Sequence, residues 1–241
     1  IARRQRQMCI RDSTNTVWVG DVKYKDISGP DGVPDGVIDD YDKTNIGSPM
    51  PKFTFGWTNT FRYKNFDLSV FINGSYGNKV YNYLSMKLTH MNSPWTNQLN
   101  AVNGRAQLVP INPNKVYEDG TMWYNDVSNV MVANPGASIP RATINDPNDN
   151  DRISDRYIED GSYIRLKNIS LGYTFPKKTI DKLGLSNLRI YANIQNLLTI
   201  TGYDGYDPEI GASTSSVNVY GLDNGRYPSP TVYSFGLNVS F

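Results

Sequence analysis

The residues best placed to do chemistry lie in one acidic stretch, SGPDGVPDGVIDDYD, at positions 28–42. Asp31, Asp35, Gly36, Asp39 and Asp42 fall at places 1, 5, 6, 9 and 12 of an EF-hand-like calcium loop. Val37 stands at place 7, which ligates through its backbone carbonyl. Oxygen donors alone suit a hard cation, and glycine at the sixth place permits the sharp turn. Two places depart from the pattern: Val33 stands where a side-chain oxygen is wanted, and Asp42 replaces the long bidentate Glu. The stretch therefore carries two readings. One is a structural calcium site that stiffens a loop; the other is a solvated Asp/Gly turn whose charge keeps the surface soluble.

Nothing else in the chain assembles a catalytic set. Carboxylates are plentiful, Glu118, Asp149, Asp155, Asp207 and Glu209 among them, but spacing places no two at a glycosidase separation. His90 is the only histidine, which excludes a multi-histidine zinc site and argues against a His-based triad. The single cysteine, Cys9, excludes an intrachain disulfide. A net charge of +1 gives no electrostatic footprint for nucleic acid. The chain reads as non-enzymatic, with no cofactor beyond the candidate calcium. Trp95, Trp123, Tyr203 and Tyr206 stand in long polar stretches. Rings there either stack on sugars, pack against a partner protein, or hold the loops together as a small cluster.

The elements that must position these loops are strands. The clearest closes the chain: in TVYSFGLNVSF (231–241) every second side chain is apolar, from Tyr233 to the terminal Phe241. At about ten residues it is long enough to cross a bilayer as a tilted strand. The same alternation runs through 53–64 and 66–76, joined at Lys64-Asn65 as a hairpin. It returns at 163–175, where a phase slip at Lys167-Asn168 predicts a β-bulge, and at 188–195. A sixth strand is expected at 16–24, and a short helix at 79–90. No apolar run approaches the roughly 18 residues of a membrane helix, so a spanning structure would have to be a closed barrel.

In chain order the connections run long, short, very long, short, long. Antiparallel strands put successive connections at alternate ends, so every long loop falls at one end and both short turns at the other. Outer-membrane barrels sort their loops this way. A polar face would then explain why Arg62, Asp67 and Arg189 stand on spanning strands. The first stretch, IARRQRQMCIRDS (1–13), has no apolar segment of a signal peptide and differs sharply in composition from the residues after it. Residues 1–13 are expected to be foreign to the protein, leaving 14–241 as the native stretch.

Four passages carry a family resemblance. They are GDVKYKDISGPDGVPDGVIDDYDKTNIGSPMPKFTFGWTNTFRYKNFDLSVFINGSYGNKVYN, DGSYIRLKNISLGYTFP, LRIYANIQNLLTITGYDGYDPEIG and the closing strand. Together and in this order they resemble the SusC/RagA-like TonB-dependent outer-membrane transporters. The resemblance implies an all-β chain: about six antiparallel strands forming the carboxy-terminal segment of a transmembrane β-barrel of about 22 strands, with long extracellular loops. It implies residence in the cell outer membrane, and a barrel plugged by an amino-terminal domain. It also implies a SusD-like surface lipoprotein as lid, energy from TonB, and import of oligosaccharides or peptides. Phe241 would be the signal read by the barrel assembly machinery. The alternative is a secreted, calcium-stabilised β-sandwich that binds glycans, which would bury the apolar faces of two sheets against each other.

Overall fold

The computed structural model describes residues 17–209 and 220–241. The reading of 1–13 as foreign falls outside them. The chain forms two compact units: one from the described residues up to Ile46 together with Leu84–Tyr157, the other from Gly47–Tyr83 and Ile158–Phe241. Ten strands form among the described residues. In chain order they are β1 Phe53–Tyr63, β2 Phe66–Tyr76, β3 Lys79–Asn82, β4 Leu108–Pro110, β5 Val130–Val132, β6 Ile158–Asp160, β7 Tyr163–Thr174, β8 Asn187–Thr201, β9 Leu222–Asp223 and β10 Val232–Ser240.

The second unit is built on one antiparallel sheet of five strands in the order β1-β2-β7-β8-β10. Its faces follow from the period of two. One cross-strand row reads Phe61, Leu68, Leu171, Ala192, Phe235; the row beside it reads Thr60, Ser69, Ser170, Asn193, Ser234. Successive rows point to opposite faces, so one face is apolar and the other polar. The apolar face is uncovered: Leu171 is 48% exposed and Phe235 83%. Among the described residues no second sheet closes over it, which overturns the β-sandwich alternative. An open face of large apolar side chains beside a polar one is the pattern of outer-membrane barrel strands.

Aromatic rings gather at both ends of this face. Phe66 and Tyr173 lie 4.6 Å apart beside Phe175 near the short turns. Phe53 and Tyr76 lie 5.4 Å apart at the opposite end. Two such clusters have the spacing along the strands that aromatic girdles have in outer-membrane barrels. The connections are sorted as expected. The hairpin turn at Lys64-Asn65 and the segment between β7 and β8 share one end of the sheet; the connections 77–162 and 202–231 leave from the other. Lys64 takes a left-handed φ of 52°, as a two-residue hairpin turn matching the strand twist requires.

The expected bulge forms. Phe71 faces Asn168 and Ile72 faces Leu166, leaving Lys167 as the extra residue of β7. It is passed on to β8, where Asn196 takes a φ of 52° and pairing resumes at Leu198. Beyond this bulge β8 continues to Thr201, longer than the expected 188–195. The sheet has five strands rather than six because 17–24, the described part of the strand expected at 16–24, does not form one. Gly20 turns the chain with a φ of 87°, and the Asp21 carboxylate takes the amide of Trp18 at 2.9 Å. Val22 donates its N–H to Asn150 Oδ1 and accepts at its carbonyl from Asn148 Nδ2. Two side-chain amides thus do what a partner strand would have done.

The expected helix over 79–90 splits. Lys79–Asn82 becomes β3, centre of a three-stranded sheet with β6 antiparallel and β9 parallel, and only Tyr83–Thr89 is helical (α1). No helix among the described residues is long and apolar enough to cross a membrane.

Candidate functional site

The polar face of the five-stranded sheet is where charge is concentrated. Near the short turns one row reads Arg62, Asp67, Gly172, Tyr191, Gly236. Arg189 Nη2 donates to Asp67 Oδ2 at 2.6 Å, and its guanidinium lies 5.2 Å from the Tyr191 ring centroid. Glycine on β7 makes this reach feasible: a Cβ at Gly172 would collide with Arg189 Nη2 and approach Asp67 Oδ1 to 2.6 Å. At Gly236 a Cβ would strike the Tyr191 ring, which lies across the strand there. Glycine in a strand interior marks such a close approach.

Towards the long connections the polar face holds a second cluster. Arg165 is 3% exposed and donates from Nε to Thr199 Oγ1 at 2.8 Å. Its two terminal nitrogens reach Asp207 and Glu209, the latter at 2.6 Å. Lys167 Nζ adds a bond to the same Glu209 oxygen at 2.7 Å. Asp207 also accepts from the amides of Glu209 and Ser229, tying both limbs of the β8–β10 connection to one carboxylate. Burial pushes the Asp207 carboxyl up, but the Arg165 guanidinium and these two amides outweigh it and hold it below the usual carboxylate range.

Of the four candidate contact aromatics, Trp95 is 92% exposed, and Trp123 packs edge-on to Tyr124 at 5.7 Å. Tyr203 is buried, its hydroxyl donating to Asp223 Oδ2 at 2.5 Å. Burial first, then the Asp223 carboxylate, pushes that hydroxyl well above its ordinary range, so it stays a donor. Tyr203 holds the loop together, whereas Tyr206 is 64% exposed.

In the acidic stretch the carboxylates accept from the backbone. Asp35 Oδ1 takes the amide of Val37, Asp39 Oδ1 that of Tyr41, and Asp42 those of Ile27 and Asp39. These last bonds, Ile27 foremost, hold the Asp42 carboxyl below its usual range. Asp31 stands in a turn open to solvent, and Val37 is half-buried outside it. The stretch's acidic side chains are not drawn together as ligands around one point. Among the described residues, the one group of histidine and carboxylate side chains close enough to share an ion is His90, Asp146 and Asp151.

Sequence patterning gave no hint of that group. His90 follows α1 and is 9% exposed. Its Nε2 lies 2.9 Å from Asp146 Oδ2 and its Nδ1 3.1 Å from Asp151 Oδ2. The two carboxylates flank opposite ring nitrogens, which makes a hydrogen-bonded bridge rather than a shared coordination point. Asp146 also accepts from the Asn150 amide at 2.6 Å, and Asn150 Nδ2 reaches Asp21, which pairs with Arg141 Nε at 2.8 Å. The chain from Arg141 to Asp151 is one buried polar network that joins the 17–24 segment to α1 and the 141–151 loop.

Comparison with known proteins agrees with this arrangement. No protein-family model matches the chain. It is 36% identical over 211 residues to TonB-dependent receptor P3 of Formosa agariphila, covering 86% of this chain and 18% of that protein. It is 33% identical to TonB-dependent receptor P26 of the same organism, covering 92% and 20%. Against TonB-dependent receptor SusC of Bacteroides thetaiotaomicron it is 29% identical, covering 86% and 17%. The chain thus spans at most 20% of the length of these relatives. In fold it is similar to the RagAB peptide importer in its open-open state, with a TM-score of 0.60 at 19% identity, covering 92% of this chain and 21% of that one. Another RagAB peptide transporter structure gives 0.58 at 20% identity, covering 81% and 18%. Over most of its length the chain is homologous to part of the TonB-dependent receptors, at 29–36% identity, and its fold is similar to part of the RagAB transporter.

Proposed function

We propose that this chain forms part of the barrel wall, and the long loops, of an outer-membrane transporter. That transporter imports oligosaccharides or peptides with energy from TonB and carries a SusD-like surface lipoprotein as its lid. The supporting observation is the five-stranded sheet itself. Its apolar face is open, its polar face holds ion pairs, and neither β1 nor β10 has a partner on its outer edge among the described residues. An open edge is not stable in lipid, so the sheet needs further strands to close. Residence in the outer membrane and the absence of chemistry on the cargo follow from the same reading. The peptide cargo of the RagAB importer supports the peptide class, and the oligosaccharide class rests on the family resemblance.

The test is to tag the complete receptor in its host, extract the outer membrane in mild detergent and identify what purifies with it. Co-purification of a SusD-like lipoprotein, together with loss of growth on one glycan or peptide when the receptor gene is deleted, is the expected result. A receptor found in the soluble fraction, or one whose deletion leaves uptake of every glycan and peptide unchanged, would sink the reading.

A further inference from the structure

The β8–β10 connection does not run straight out from the wall. Thr201, the last residue of β8, pairs with Tyr163, the first of β7. A chain leaving there outward would never meet the interior of β7 again. Instead Asp207 and Glu209 turn back to Arg165 and Lys167. At a strand rise of about 3.3 Å per residue, those positions lie roughly 7 and 13 Å below the end of β7. The contact is on the polar face, because Arg165 shares its row with Asn73 and Thr199 and bonds to the Thr199 hydroxyl.

The returning segment is fixed at both ends. Tyr203 is held by Asp223 at its start, and Gly205 allows a tight turn in which any Cβ would strike the Tyr203 ring. Asp204 donates its amide to Glu159 at 2.9 Å. At the far end two carboxylates meet two cations, a balanced set. Between the anchors the Tyr206 ring is open to solvent.

We propose that 203–209 is an infolded strap that narrows the loop-side mouth of the barrel, with the Arg165–Asp207 pair as its latch, so that the latch sets the size of solute admitted. This rests on the transport reading, and one experiment separates the two. In outer-membrane vesicles carrying the complete receptor in a cysteine-free background, Asn193→Cys places one thiol on the polar face below the strap, in the row of Ser170 and Ser234. A small charged methanethiosulfonate, a maleimide on a long polyethylene glycol chain and a membrane-soluble maleimide are offered in turn from the loop side. The small charged reagent is expected to react at one rate in every variant. The long reagent should react roughly tenfold or more faster once the charge pair no longer favours the closed arrangement, both in Arg165→Met and in Asp207→Asn with Glu209→Gln. The second variant leaves the arginine in place and guards against a folding defect in the first. Equal rates for the long reagent with the latch intact and broken overturn the strap while leaving the wall intact. A thiol reached only by the membrane-soluble reagent faces lipid, and that result overturns the transport reading itself.

Discussion

Arg165 on β7 and Asp207 in the β8–β10 connection close an ion pair across 42 residues of chain, with the arginine 3% exposed and the aspartate side chain 10%. Each lies in one of the four passages that carry the family resemblance, Arg165 in DGSYIRLKNISLGYTFP and Asp207 in LRIYANIQNLLTITGYDGYDPEIG. The structure shows why they belong together: the first supplies the socket for the second. Replacing Arg165 by Met leaves Asp207 buried without its cation, and breaking such a pair costs about 3–5 kcal/mol. Asp207→Asn keeps a hydrogen-bonding group and should cost less. Thermal unfolding of the detergent-solubilised complete receptor reads the difference, and equal losses would contradict the assignment.

The same pair makes the connection acid-sensitive. The Asp207 carboxyl sits below its ordinary range in the folded chain, so its contribution is fully present above the unfolded value of about 3.9 and fades as pH falls through the lower folded value. Amide hydrogen exchange around Ser229, whose N–H bonds Asp207, should therefore be flat from neutral pH to about 4 after correction for intrinsic rates, and rise only below it. In Asp207→Asn that protection should be lower and lose its pH dependence.

Which parts of this could be read from the sequence depends on the reach of each interaction. The wall strands were legible because alternation is a local property, and the bulge because Lys167 breaks the phase between Leu166 and Ile169. The extension of β8 was hidden by Asn196, whose left-handed backbone interrupts the pattern without ending the strand. The missing strand at 16–24 has apolar residues in plenty. What it lacks is a partner strand, and Asn148 and Asn150, 126 and 128 positions away from Val22, take that place. His90 looked idle for the same reason: Asp146 lies 56 positions on. Side-chain partners at that range leave no periodic trace.

His90 nevertheless anchors the first unit. His90→Ala deprives the buried Asp146 of a donor, at a cost of about 1–3 kcal/mol. The loss should be local to the network. Limited proteolysis of the complete receptor is expected to open the 141–157 loop, near Arg152 and Arg156, while the wall strands stay protected. A variant as resistant there as the parent would show that the bridge contributes nothing.

Leu171 and Ser170 are neighbours on β7 that face opposite media. If the apolar face meets lipid as proposed, Leu171→Arg puts a charge there, at a cost that reaches about 2–4 kcal/mol at the bilayer midplane and is smaller one row in from the Phe66–Tyr173 pair. Ser170→Arg puts the same charge on the polar face. Membrane assembly of the complete receptor, followed by heat-modifiable migration in gels, should fall for Leu171→Arg and hold for Ser170→Arg. The reverse order would exchange the two faces and with them the whole assignment of inside and outside.

Tyr191 and Gly236 offer the sharpest check of the polar face. They stand directly opposite in the β8–β10 pairing, and the Tyr191 ring occupies the space a side chain at 236 would need. Gly236→Ala forces the ring to move, and with it the stack that carries the Arg189 guanidinium towards Asp67. Overpacking of this kind costs about 1–3 kcal/mol. If the ring is the cause, Tyr191→Ala should absorb most of that cost, so that the double variant loses far less than the two single losses added together. Strict additivity would mean that the glycine is needed for the backbone of β10 itself and not for the ring that crosses it.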